Sequence, residues 1–230
     1  MVILAVDTSH PEGGVALNVD GQPAGAARFG AASSHLAELG ECVDRLLRDR
    51  GLRVGDVSRI ALVEGPGSFT GLRVGMAYVK GLAAALDVDV VTTGTLELLA
   101  LPLLDPTESM IICPMVDAHK NEVYAAVYGN DKVLVKPCVV APDLLLESAH
   151  KFDPLFVGSG AIRYRRLIGQ IAGSRRIASE TASLPSTQYL AGIARDLEPL
   201  SRDALRTLEP MYLRPSDAEF KRLKPIDSHE

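Results

Sequence analysis

The sequence predicts an α/β protein of two lobes, each a mixed sheet flanked by helices. Three observations carry this prediction. The opening residues are short β-branched runs separated by tight-turn signals. The apolar pattern then switches to a helical period with short buried strands between. After a polar break at Asp105-Pro106 the same order starts again.

In the first half, Val2–Val6 and Val15–Val19 read as strands, and Asp20-Gly21 is a two-residue hairpin signal. Pro23–Phe29 returns as a weaker third strand, because alanine and glycine fit a pleated sheet poorly. Ser33–Arg50 then sets Leu36, Leu39, Val43, Leu46 and Leu47 on one helical face and Glu38, Glu41, Arg45 and Arg48 on the other. Ile60–Val63, a glycine turn at Gly65–Gly67, a helix over Ser68–Leu86, a strand at Val88–Val91 and a helix over Thr95–Leu104 follow, an order that needs parallel crossovers. In the second half Met110–Val116, Val123–Tyr128 and Val133–Val139 form a second meander. Helices at Pro142–Ala149, Ile162–Ala172 and Ser186–Asp196 follow, with a strand at Leu155–Val157. Residues 1–105 are therefore expected to be one lobe, 106–220 the other, and 221–230 a flexible tail. Two such lobes face to face describe the actin-like architecture shared by acetate kinase, sugar kinases, Hsp70 and actin, with ribonuclease H-like sheets.

Composition narrows the function. With 24 Lys and Arg against 29 Asp and Glu, the chain is net acidic, which disfavours strong unaided binding to nucleic acid. Cys42, Cys113 and Cys138 have no C-x-x-C spacing and read as reduced thiols of a cytoplasmic protein. Met-Val-Ile-Leu-Ala-Val-Asp opens without a basic n-region, so no signal peptide is expected, and no apolar run is long enough to cross a bilayer.

The most informative segment is Glu64-Gly-Pro-Gly-Ser-Phe-Thr-Gly-Leu-Arg-Val-Gly75. Strand, glycine turn, helix can offer backbone N–H groups to an anion. Gly65, Gly67 and Gly71 give G-x-G-x-x-x-G rather than a dinucleotide fingerprint, and no Gly-Lys-Ser/Thr follows. Packing is the alternative. Gly71 and Gly75 share a helix face continued by Tyr78 and Leu82, and each interior glycine costs about 1 kcal/mol against alanine, so a close approach should offset it. The residues alone leave open whether what approaches is this chain or another subunit.

Gly65-Pro-Gly-Ser-Phe-Thr-Gly-Leu-Arg-Val-Gly75 resembles the signature of the TsaB (YeaZ) family. Ile3-Leu-Ala-Val-Asp-Thr-Ser9 is similar to the family's opening strand and phosphate-type motif. Ser34-His35-Leu36 falls at the start of its first helix, in partial agreement with a His-Ser-Glu pattern. Val116-Asp-Ala-His-Lys-Asn-Glu-Val-Tyr124 is similar to Asp-Ala-Arg-x-x-Glu-Val-Tyr, and Pro210-Met-Tyr-Leu-Arg214 to the closing Pro-x-Tyr-Leu-Arg. The resemblance implies a subunit without catalysis of its own. Such a subunit pairs as a heterodimer with TsaD, which carries the metal and transfers a threonylcarbamoyl group to N6 of adenosine 37 in tRNA. The ATPase TsaE joins the assembly, tRNA is met through the complex, and the lone chain can self-associate. Under that reading Ser34, His35, Leu39, Cys42, Gly71, Leu72, Gly75, Tyr78 and Val79 are the expected interface residues.

Other chemistry is thinly represented. A catalytic relative should carry His-x-x-x-His after the fourth strand, a spacing that sets both imidazoles on one face for a metal. Thr95-Leu-Glu-Leu-Leu-Ala100 stands there instead, and His10, His35, His119, His150 and His229 are dispersed, so no metal and no cofactor is expected. Asp7, Thr8, Ser9 and Asp117 could be a degenerate nucleotide site. Ser68 could be a nucleophile but is better placed as a helix cap. Arg163, Arg165 and Arg166, with Arg175 and Arg176, form the densest basic cluster and are candidates to meet tRNA or an acidic partner. The competing function is an independent actin-like ATPase or kinase, or a metallopeptidase-type hydrolase.

Overall fold

The computed structural model describes residues 1–30, 35–105, 107–130, 132–173 and 176–214 (for 35–37, the backbone). The expected tail at 221–230 lies outside the described residues. The first sheet is built from β1 (Val2–Asp7), β2 (Gly13–Val19), β3 (Gln22–Phe29), β4 (Arg59–Val63) and β5 (Asp89–Thr93), in the order β3-β2-β1-β4-β5. β1, β2 and β3 are antiparallel neighbours, whereas β4 and β5 add in parallel. Asp20 and Gly21 close the β1–β2–β3 meander with φ of 51° and 86°, the left-handed pair that a tight hairpin turn needs.

The pleat sorts this sheet's side chains. Val2, Leu4 and Val6 of β1 point to the layer of α1 (His35–Arg48) and α2 (Phe69–Leu86). There they meet Leu39, Val43, Leu47, Met76 and Val79. Ile3 and Ala5 point to the opposite layer, onto Leu98 of α3 (Thr95–Ala100) and Leu190, Ala191 and Ala194.

The second sheet comprises β6 (Ile112–Asp117), β7 (Val123–Tyr128), β8 (Val133–Val140) and β9 (Leu155–Val157), in the order β8-β7-β6-β9. It repeats the meander followed by a parallel addition. One face is covered by α4 (Pro142–Ala149) and α6 (Arg165–Ile171), through Leu145, Leu146 and Ile168. α5 (Ser159–Arg163) precedes α6, and the single helix expected over Ile162–Ala172 is two pieces broken at Tyr164. The other face meets α3, whose Leu96 and Leu99 pack on Ile112, Val116 and Ala126. α3 is thus buried between the sheets, Leu98 turned to one and Leu96 and Leu99 to the other, and it joins the lobes of an actin-like fold. The helix expected to run to Leu104 stops at Ala100, and Leu101–Leu103 tighten into a 3-10 turn around Pro102.

The last described helices do not stay with the second lobe. α7 (Thr187–Ile193), capped by Ser186, lies on the first sheet. Leu200, Leu205 and Leu208, around α8 (Arg202–Thr207), pack against the first core. The Leu200 N–H donates to the carbonyl of Val90 at 2.8 Å. Arg59, on β4, donates to the carbonyls of Ala194 (3.1 Å), Arg195 (3.0 Å) and Leu197 (3.3 Å), fastening the end of α7. The division expected at 106–220 therefore differs from the structure, in which residues 187–212 complete the first lobe. The second lobe's sheet leaves the first sheet's outer layer uncovered, and the C-terminal helices supply the missing apolar face.

Candidate functional site

Three glycines set the position of α2. A Cβ on Gly67 would lie 2.2 Å from the carbonyl oxygen of Ser9, one on Gly71 2.2 Å from that of Thr8, and one on Gly75 2.2 Å from Thr8 Oγ1. Gly71 and Gly75, four apart, share one row of α2, Gly67 lies just before the cap, and together they receive the turn leaving β1. The Ser68 N–H donates to Ser9 O at 2.7 Å, and Ser68 Oγ accepts from the Gly71 N–H at 3.2 Å. The first turn of α2 thus spends two of its free N–H groups on the protein's own chain. This answers the question left open by the residues: the close approach is helix to strand end, within the chain.

Six of the expected interface residues are corrected by this geometry. Leu39, Cys42, Leu72 and Val79 are core side chains, and Gly71 and Gly75 face Thr8, so none presents a surface. The reason is that the glycine row and the apolar row both turn inward, towards β1 and the sheet. Ser34 lies outside the described residues, and so does the side chain of His35. Tyr78 is half-buried beside Gly40, where α1 and α2 meet, and its phenol is held above the usual range by burial and by Asp44.

What α2 does present is its opposite face. Thr70, Arg73, Ala77, Gly81 and Ala84 are exposed along it, flanked by Phe69, while α1 offers Glu41, Asp44, Arg45 and Arg48. The α2 strip is small-residue from Ala77 onward, with Arg73 and Phe69 at its N-terminal end, and the α1 strip is charged. Helical spacing contained both, but not which face turned outward.

The nucleotide-site candidates are also placed differently from an open cleft. Asp7, Thr8 and Ser9 are buried beneath α2. Asp7 Oδ1 accepts from the Ser9 N–H at 2.8 Å, and Ser9 Oγ shares a hydrogen bond of 2.8 Å with Nδ1 of His10. His10 was not among the expected site residues. Its imidazole is buried, and burial holds its pKa below the ordinary value, opposed by Asp7 and aided by Arg28. Asp117 ends β6 in the other lobe, where it pairs with Arg163 at 3.1 Å and its backbone N–H donates to Ser159 Oγ.

The basic cluster is largely paired as well. Arg165 meets Glu180 at 2.8 Å and Arg176 meets Asp153. Arg165 and Arg166 line an open groove of about 560 Å³ with Gly169, Gln170 and Ile177. Arg175 lies outside the described residues. A second cavity, about 140 Å³, sits between the lobes and is lined by Glu64, Thr93, Glu97, Tyr128 and Met211, among others. Burial, with a contribution from Glu97, pushes the Tyr128 phenol up to about 12. Among the described residues, no three of His, Cys, Asp and Glu come together as a metal would need, and no helix is long and apolar enough to cross a membrane.

Residues 26–177 match the family model described as TsaD, tRNA N6-adenosine threonylcarbamoyltransferase. The chain is 26% identical to the tRNA threonylcarbamoyladenosine biosynthesis protein TsaB of Haemophilus influenzae, over 97% of each chain. It is 28% identical to the TsaB of Bacillus subtilis, over 96% of this chain and 97% of that one. A tRNA N6-adenosine threonylcarbamoyltransferase of Cereibacter sphaeroides is 34% identical, but over 49% of this chain and 35% of its own. The solved structure of YeaZ from Pseudomonas aeruginosa superposes with a TM-score of 0.73 at 25% identity, covering 92% of this chain and 99% of that one. The chain belongs to the TsaD family of tRNA N6-adenosine threonylcarbamoyltransferases, and within it to the TsaB (YeaZ) type, which it matches from end to end.

Proposed function

We propose that this chain is the non-catalytic partner subunit in the synthesis of N6-threonylcarbamoyladenosine at position 37 of tRNA. In this reading it docks on TsaD through the exposed faces of α1 and α2, TsaE joins the pair, and tRNA is met through the complex in the cytoplasm. The observation that carries the reading is the outward strip of α2, Thr70–Ala77–Gly81–Ala84, held on a helix pinned by its glycine row. Small side chains let a second helix approach closely, and a pinned helix loses little freedom on docking. The likeness to TsaD over half the chain supports a pairing of related helix pairs about a pseudo-twofold axis. The same geometry allows two copies of this chain to pair when TsaD is absent. The lack of catalysis is supported by Thr95-Leu-Glu-Leu-Leu-Ala100, which stands where a catalytic relative is expected to carry a histidine pair. Most of it is packed between the sheets.

Two measurements test this. Purified chain should restore threonylcarbamoyl transfer when added to its cognate TsaD, TsaE and the enzyme that forms the carbamoyl adenylate, and show none alone. Failure to restore transfer rejects the role. Ala77→Arg changes an exposed site without touching the core, and should abolish co-purification with TsaD while the thermal midpoint stays unchanged. A variant that still binds with wild-type affinity rejects the placement on α2.

A further inference from the structure

The closing motif, Pro210-Met-Tyr-Leu-Arg214, and the residues just before it bond to both lobes. Lys80 Nζ, on α2, donates to the carbonyls of Arg206 at 3.1 Å and Leu208 at 2.6 Å. The Met211 N–H donates to Glu64 O at 2.8 Å, and a Cβ on Gly65 would lie 3.1 Å from Met211 O, so the two backbones are in close contact. The Tyr212 ring stacks on Phe69 at 5.0 Å. Arg73 sits 4.0 Å over Phe69 and donates through Nε to Tyr212 OH at 2.8 Å. All of these contacts are with the first lobe.

Two residues further on the chain has crossed to the second. Arg214 Nη1 donates to Ala118 O at 3.1 Å, and its guanidinium pairs with Glu122. Both acceptors belong to the β6–β7 turn. His119, Lys120 and Asn121 hold successive φ values of 58°, 51° and 59° there, and the Ala118 N–H donates to Glu122 O at 3.0 Å. Left-handed backbone at non-glycine residues costs about 1–2 kcal/mol each, and it persists where the surroundings over-determine it. The turn sets a carbonyl and a carboxylate side by side, the first accepting a hydrogen bond from the guanidinium and the second pairing with its charge. The Arg214 side chain is 16% exposed and that of Glu122 39%, so the pair is partly shielded from the solvent that weakens surface ion pairs. Between these two anchors Met211 forms part of the wall of the 140 Å³ cavity between the lobes.

We propose that residues 206–214 are a lobe clamp, a strap tied to α2 and the Glu64–Gly65 turn at one end and to the β6–β7 turn at the other, which sets the angle between the lobes and holds Met211 against the cavity between them. Three separated motifs, the glycine turn, Asp-Ala-His-Lys-Asn-Glu and Pro-Met-Tyr-Leu-Arg, are thereby parts of one device. The clamp goes beyond the docking reading and does not depend on it. A strap that merely finished the first lobe would end at Tyr212, whereas Arg214 crosses the interlobe gap.

The test measures the lobe-to-lobe distance in the isolated full chain. Spin labels are placed at Val54→Cys on the first lobe and Leu144→Cys on the second, both exposed, in a Cys138→Ser background in which Cys42 and Cys113 are buried. One narrow distance distribution is expected in this parent. Arg214→Ala should broaden and shift it, Glu122→Gln should do so to a smaller extent, and the Met211 amide should exchange at least tenfold faster in Arg214→Ala. Arg202→Ala, which breaks only the Asp87 pair within the first lobe, should leave the distribution unchanged. Distributions of Arg214→Ala and Glu122→Gln that superimpose on the parent overturn the clamp. If Arg214→Ala does not fold, Glu122→Gln alone decides.

Discussion

Alanine substitutions at Gly71 and Gly81 should change stability in opposite directions, although both lie inside α2. A helix interior favours alanine over glycine by about 1 kcal/mol, so propensity alone stabilises both variants. At Gly81 nothing lies within 4 Å of the new Cβ, and the full gain is expected. At Gly71 the Cβ would sit 2.2 Å from Thr8 O, inside the 3.0 Å that real Cβ contacts respect, so helix and turn must part by about 0.8 Å. The obstacle is a backbone carbonyl, which has no rotamer to adopt. The parting also strains the Ser68 N–H to Ser9 O bond of 2.7 Å. Overpacking of this kind costs about 1–3 kcal/mol. That the nearest obstacle is backbone argues for the upper end, which leaves a net loss of about 2 kcal/mol after the propensity gain. With a urea m-value of about 2 kcal/mol/M, Gly71→Ala should lower the midpoint by about 1 M and Gly81→Ala raise it by about 0.5 M. Equilibrium urea titrations of the three proteins under one buffer decide it. A Gly71→Ala midpoint at or above wild type would refute the claim that the glycine row exists to admit the β1 turn.

Other outcomes follow from the same contacts. Gly75→Ala collides with the side chain of Thr8 rather than with backbone, so Thr8→Ala should rescue it, and a double-mutant cycle in urea should show a coupling of about 1 kcal/mol or more. Arg59→Met removes a charged donor from three carbonyls at the end of α7 and should cost about 2 kcal/mol, read as a lowered midpoint and faster proteolysis between residues 194 and 201. Burial lowers the folded-state pKa of His10, so below about pH 6.5 the unfolded chain takes up a proton that the folded chain refuses. Stability should therefore be independent of this group at higher pH and fall as the pH drops from about 6.5 towards the folded-state value. His10→Asn should flatten that slope in denaturation titrations at pH 7, 6 and 5, and an unchanged slope would show that another group carries it.

The sequence alone was enough for the strand order of each meander, the Asp20-Gly21 hairpin and the family. Each of these is written in neighbouring residues: strand runs flanked by turn formers, a change of period, an uninterrupted motif. The spacing of Gly71 and Gly75 also stated that they share a face. It could not state what that face meets, because periodicity fixes which residues point together and leaves the neighbour unnamed. Only the packed structure showed that the neighbour is the Asp7–Ser9 turn, so that the face left exposed is the one with Ala77 and Gly81. The last third of the chain was the least legible for a related reason. α8 is six residues long and has no buried residue of its own, and α7 finds its apolar surface on a sheet built more than a hundred residues earlier. Arg214 likewise reads in sequence as one more surface cation. Its role comes from Ala118 and Glu122, 96 and 92 residues away, which the fold alone brings within reach.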